Sequence, residues 1–160
     1  MLFVHRIGED PRYYDVLKTI TDAAAAGDVL IVTSAFTLAE VGMVGTGLTN
    51  EEQEDLIVRF FDNPYIRVLP FDRFVAKESR HILRSCSGVK GKDAVHIATA
   101  LRTPGLSLMQ TYDKGVLNKN GQIEGRLLAI HEPVKYMSKS QPPVERSLFD
   151  FADEGKQTNE

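Results

Sequence analysis

Residues 29–41, VLIVTSAFTLAEV, pass from an apolar, β-branched run directly into a segment of helical pattern. VLIVT is short and carries no charge, the composition of a strand buried on both faces. Ser34 is of a type that caps helix N-termini, and AFTLAEVGMVG after it reads as a helix ending in glycines. A strand feeding straight into a helix is half of a parallel crossover unit. The rest of the chain decides whether the unit repeats.

It does. Upstream, residues 1–28 read as helix interrupted near GEDP, with Asp10 and Pro11 as a fresh start and Gly27 as a stop. Downstream, LTNEEQEDLIVRFFDN reads as a helix opened by a capping box of Thr49 and Glu52. IRVLPF is a second strand, and Asp72 starts the helix RFVAKESRHILRSC, which stops at Ser87 and Gly88. GKDAVHIATA comes next as a helix that breaks at TPG, then LSLMQT as a strand and GRLLAIHE as another. Alternating strands and helices predict an α/β domain, a three-layer α/β/α sandwich around a mainly parallel sheet. Residues 1–132 form that domain in this reading, and 133–160 form a polar C-terminal tail, partly disordered, with one hydrophobic island, LFDF.

Composition sets outer bounds. A chain of 160 residues with 42% hydrophobic and 26% charged residues suits one soluble domain with a core of its own. Cys86 is the single cysteine, which rules out an internal disulfide and favours a reducing, cytoplasmic setting. No apolar run reaches the length of a membrane span, and the N-terminus lacks a secretion-signal pattern. The formal charge of −3 speaks against a general basic coat for nucleic acid and leaves room for a local patch.

Three acids stand out by position. Glu40 lies among Leu38, Ala39 and Val41 in a helix directly after a strand; Asp93 opens an otherwise apolar helix; Asp113 ends LSLMQTYD. His96 is three residues beyond Asp93 and shares its helix face. Thr111 and Asp113, two apart, share one side of an extended segment at the carboxyl end of a strand, where ligand sites of open α/β sheets gather. Each also has a plain structural use: Asp93 as a helix cap, Asp113 as a turn residue before Gly115, Glu40 as a solvated glutamate, His96 as packing. Taken together, the three acids approach one edge of a parallel sheet. Crowded carboxylates repel unless a cation sits among them. Mg²⁺ or Mn²⁺ suits such oxygen ligands, and a bound ion of that kind activates water against a phosphodiester.

VLIVTSAFTLAEV, GKDAVHIATAL and LMQTYD resemble, in order, three signatures of PIN domains, the nuclease fold of VapC-type toxins. RVLPFDRFVAKESRHILRS between them resembles the family's third strand and the helix after it, and the likeness covers roughly residues 1 to 131. The resemblance implies metal-dependent endoribonuclease activity within a toxin–antitoxin pair. It implies Glu40, Asp93 and Asp113 as catalytic metal ligands for Mg²⁺ or Mn²⁺, with Thr111 and His96 in support. RNA becomes the substrate, an antitoxin protein and a second copy of the chain become possible partners, and a membrane does not. Lys90, Lys92, Lys114 and Lys119 flank the acids and suit RNA phosphates, or are solvated loop lysines.

One departure stands against this. PIN domains begin with a central strand carrying an aspartate, and MLFVHRIGEDPRYYD resembles the family's segment immediately after that strand. The expectation is a sheet without its middle strand and a site with three acids and one direct ligand fewer. Either the true start lies upstream, or the chain is a shortened, catalytically inactive PIN-like binding or dimerisation module. Other motifs fail on inspection. GMVGTG comes after a helix and has reversed glycine spacing for a dinucleotide loop; SGVKGKD lacks the glycine and hydroxyl of a phosphate loop. The histidines and Cys86 show no zinc spacing, and no nucleophile elbow exists.

Overall fold

The structure is a computed structural model, and it describes residues 11–41, 43–44, 47–48, 50–123 and 128–137. Their order is α1 (Tyr14–Ala25), β1 (Ile31–Ser34), α2 (Phe36–Glu40), β2 (Met43–Val44), β3 (Gly47–Leu48), α3 (Glu51–Phe61), β4 (Ile66–Leu69), α4 (Arg73–Ser85), α5 (Gly91–Arg102), β5 (Leu108–Gln110), α6 (Lys114–Leu117) and β6 (Ala129–His131). The strands form two parallel pairs, β1 with β4 and β5 with β6, and β2 pairs with β3 as a small antiparallel hairpin. Among the described residues no pairing joins β1 to β5, so the parallel strands stand as two separate ribbons. The register sets Ile31 against Ile66 in one ribbon and Leu108 against Ala129 in the other.

The core is divided the same way. One cluster draws Val75, Ile82 and Cys86 from α4, Ala94, Ile97 and Ala98 from α5, and Ile130 from β6. The other joins Val41, Ile57 and Phe61 to Ile66 of β4. Helix α5 links the halves, because it packs on α4 and on β1. Ala94, Ile97 and Ala98 are fully buried and fall at helical spacing on one face, which lets the backbone of α5 approach its neighbours closely. That burial explains why the helix is so apolar.

Helix boundaries reflect side-chain chemistry. The Asp72 carboxylate accepts hydrogen bonds from the Phe74 and Val75 amides and starts α4 as expected. Gly27 closes the turn after α1 at φ 86°, a conformation in which a side chain is strained. Three expectations need correction. The helix after β1 stops at Glu40, and the β2–β3 hairpin occupies the glycine-rich stretch read as its continuation. The capping box of α3 lies one residue later than read: Asn50 accepts from the Gln53 amide, and the Gln53 side chain accepts from the Asn50 amide. The first helix begins at Tyr14, three residues past Pro11. Within the segment read as tail, the Tyr136 amide donates to the Thr19 hydroxyl at 2.9 Å and so lies back against α1. The LFDF island and the stretch 1–10 fall outside the described residues.

Candidate active site

Glu40 closes α2, which leaves β1 with no loop between. The Thr33 and Thr37 hydroxyls bond each other at 2.8 Å across that junction, and the Ser34 hydroxyl accepts from the Phe36 amide. This fixes the angle at which α2 leaves the strand and brings the Glu40 side chain, 16% exposed, against α5. There the His96 Nε2 and Glu40 Oε2 lie 2.6 Å apart, and the Lys92 ammonium stands 3.7 Å from the other Glu40 oxygen. With the ring nitrogen donating, the imidazole and the ammonium satisfy a carboxylate that burial alone would penalise.

Asp93 lies in the first turn of α5 without capping it; the cap position belongs to Lys90, which makes no side-chain cap bond. Burial pushes the Asp93 carboxyl above its usual value, and the negative charge of Asp113 pushes it further. Lys92, His96 and Lys90 pull the other way. Five of the residues singled out in the sequence thus act electrostatically on one carboxylate or are that carboxylate.

Asp113 is held differently. Its Oδ1 accepts from the Gly115 and Val116 amides at 2.7 and 3.3 Å, capping α6, so the turn role is real. Thr111 is buried, and its hydroxyl accepts from the Asp113 amide at 3.1 Å. Its reach is therefore to the Asp113 backbone. Of the lysines, Lys90, Lys92 and Lys114 are exposed, whereas Lys119 donates to the Ser87 carbonyl at 2.7 Å and pins the loop after α4. That contact gives Lys119 a structural place in the loop.

Among the described residues no three His, Cys, Asp or Glu side chains come close enough together to hold one ion. Glu40, Asp93 and Asp113 are therefore not such a group among the described residues, and the Glu40 carboxylate contacts His96 and Lys92. Asp93 and Asp113 remain, near enough for the Asp113 charge to raise the Asp93 carboxyl. Two carboxylates suit Mg²⁺, which keeps most of its water and takes its remaining ligands from substrate phosphates. Asp93 and Asp113 would be the protein's oxygen ligands to an ion of that class.

Aromatic rings complete the neighbourhood, and the sequence reading passed over them. Phe36 lies 6.0 Å from the His96 ring in edge contact and 6.2 Å from Phe71, in the loop after β4. Tyr13 and Tyr112 meet at 4.3 Å beside Asp113 in the chain, and burial, then Tyr13 and Glu132, raise the Tyr112 phenol above its ordinary value. The available signal was position: Phe71 and Tyr112 both come just after the carboxyl ends of parallel strands.

This order of strands, helices and acids agrees with a family model, the PIN domain, which matches residues 2–121. The chain belongs to the PIN-domain family. No curated protein and no solved structure shows detectable similarity to it. PIN domains are α/β folds, generally nucleases that act on RNA with divalent metal ions. No helix among the described residues is long and apolar enough to cross a membrane.

Proposed function

We propose that this PIN domain is a Mg²⁺- or Mn²⁺-dependent endoribonuclease of the VapC toxin type, acting in the cytoplasm and restrained by an antitoxin protein. The observation that carries the reading is the placing of Asp113, at the carboxyl end of β5, near enough to Asp93 that burial and then the Asp113 charge hold the Asp93 carboxyl above its usual value. Such a pair is costly without a cation and suited to one. In this reading Asp93 and Asp113 hold the ion directly, and Glu40 is the third acid, kept close by His96 and Lys92. Thr111 fixes the turn that presents Asp113, while Lys90, Lys92 and Lys114 hold RNA phosphates. A bound divalent ion supplies an activated water and neutralises charge on the attacked phosphate.

The test is cleavage of single-stranded RNA with added Mn²⁺, comparing the protein with Asp93→Asn and Asp113→Asn. Each variant is expected to lose at least about a hundredfold in rate, the scale of an ion's several kcal/mol at the transition state. Equal cleavage by protein and variants removes the pair from the chemistry. One observation favours a second reading, a PIN-like module that binds an antitoxin or its own copy without catalysis. Among the described residues β1 and β5 do not pair, so the sheet edge that carries the acids is interrupted. Self-association or antitoxin binding with no metal-dependent RNA cleavage is the outcome that selects it.

A further inference from the structure

We infer that Phe71 is a stacking platform for one unpaired base of the RNA, placed beside the acidic site; this rests on the ribonuclease reading above. Phe71 lies between the end of β4 and the Asp72 cap of α4, and it is 47% exposed. One side of its ring is set by Phe36, and Phe36 in turn meets His96, which holds Glu40. The series Phe71, Phe36, His96, Glu40, Lys92 therefore runs continuously from an exposed aromatic to an exposed ammonium across the site. A single exposed apolar side chain needs no explanation. This one is braced by Phe36 in a line of contacts that ends on Glu40 and Lys92.

Charge makes the case stronger. With a net charge of −3 the chain has no general electrostatic hold on a polyanion. Non-specific grip on single-stranded nucleic acid combines a few cations along the backbone with aromatic faces for bases. Lys90, Lys92 and Lys114 are candidates for the first part, and Phe71 supplies the second. Phe74 is also exposed, but the Arg102 guanidinium lies over its ring at 5.2 Å, so that face is already engaged. Among the described residues the ring partner of Phe71 is Phe36, and nearly half of the residue is open to solvent, where a base can reach it.

The experiment is a binding cycle in EDTA, which suspends cleavage. A fluorescently labelled single-stranded oligoribonucleotide is titrated with the protein, with Phe71→Leu and with Phe71→Trp, and each titration is repeated with the base removed at successive positions. Phe71→Leu is expected to weaken binding about tenfold, and Phe71→Trp to restore it. One abasic position should weaken the unaltered protein by a similar factor and leave Phe71→Leu unaffected. Additive losses at every position, or unchanged affinity in Phe71→Leu, overturn the assignment. A change in oligomeric mass with unchanged RNA affinity overturns it in favour of a protein contact. If the unaltered protein binds no RNA in EDTA, the role of Phe71 falls, and if it also neither binds nor cleaves RNA once Mn²⁺ is restored, the ribonuclease reading falls too. If it binds without this coupling and cleaves once Mn²⁺ is restored, only the role of Phe71 falls.

Discussion

Asp93 illustrates how a single side chain can carry both a cost and a function. Its carboxyl titrates above the ordinary aspartate value of 3.8, chiefly through burial and then through Asp113. A raised folded-state pKa means that the native protein binds the proton more tightly than the unfolded chain does. The stability associated with the protonated form is fully present below pH 3.8 and is lost as pH rises through the higher, folded value. Asp93→Asn removes that loss. Its melting temperature should match the unaltered protein's in acid and exceed it increasingly towards neutral pH, measured by thermal scans across that range. A divalent ion reverses the sign of the neighbourhood. Mn²⁺ at a hundredfold excess over its dissociation constant should stabilise the protein by about 2.7 kcal/mol, and this shift should vanish in Asp93→Asn and Asp113→Asn. A shift retained in both variants places the ion elsewhere. These acids were legible from the sequence because each sits beside a strand or inside an apolar run. The grip of His96 and Lys92 on Glu40 was not, since a contact across 56 residues depends on how α2 leaves β1.

The helices show which local signals are decisive. Asp72 and Gly27 were readable because each acts through its own backbone neighbourhood. The start of α3 was harder, since TNEEQ offers two overlapping boxes, Thr49 with Glu52 and Asn50 with Gln53. The structure uses the second, whose two hydrogen bonds are 2.9 and 3.1 Å. Asn50→Ala should therefore lower stability by about 1 kcal/mol, while Glu52→Ala, outside the box, should change it by less than about 0.5 kcal/mol. Urea titrations of both variants check the register, and a larger loss in Glu52→Ala contradicts it. The β2–β3 hairpin was missed for a related reason. GMVGTG carries apolar residues at a spacing that suits the end of a helix as well as two short strands, and over so few residues periodicity does not separate them.

At the scale of the molecule, the sequence identified the layer order and the family, but it could not fix how two half-sheets share a core. Strand pairing is a long-range property, and the β1–β4 and β5–β6 ribbons are each complete in their own register. Each has its own buried cluster, with Ile57 and Phe61 under the first and Ile82 and Ile97 under the second. The element spanning them is α5, buried through Ala94, Ile97 and Ala98 and packed on both α4 and β1. Cooperative units in proteins tend to coincide with such contiguous packing, and they open with separate free energies. Ile57→Ala should create a cavity costing about 2–5 kcal/mol, felt first where Ile57 packs. Native-state hydrogen exchange should then speed up at the paired amides of β1, such as Ile31, whose bond to the Tyr65 carbonyl ties it to the β4 side. The amides of Thr111 and Ala129, which bond His131 and Ser107 across the other ribbon, should keep their protection until global unfolding takes over. Equal acceleration in both ribbons would mean that α5 couples them into a single unit. In that case the acids on opposite ribbons, Glu40 and Asp113, are held in fixed relation through that helix.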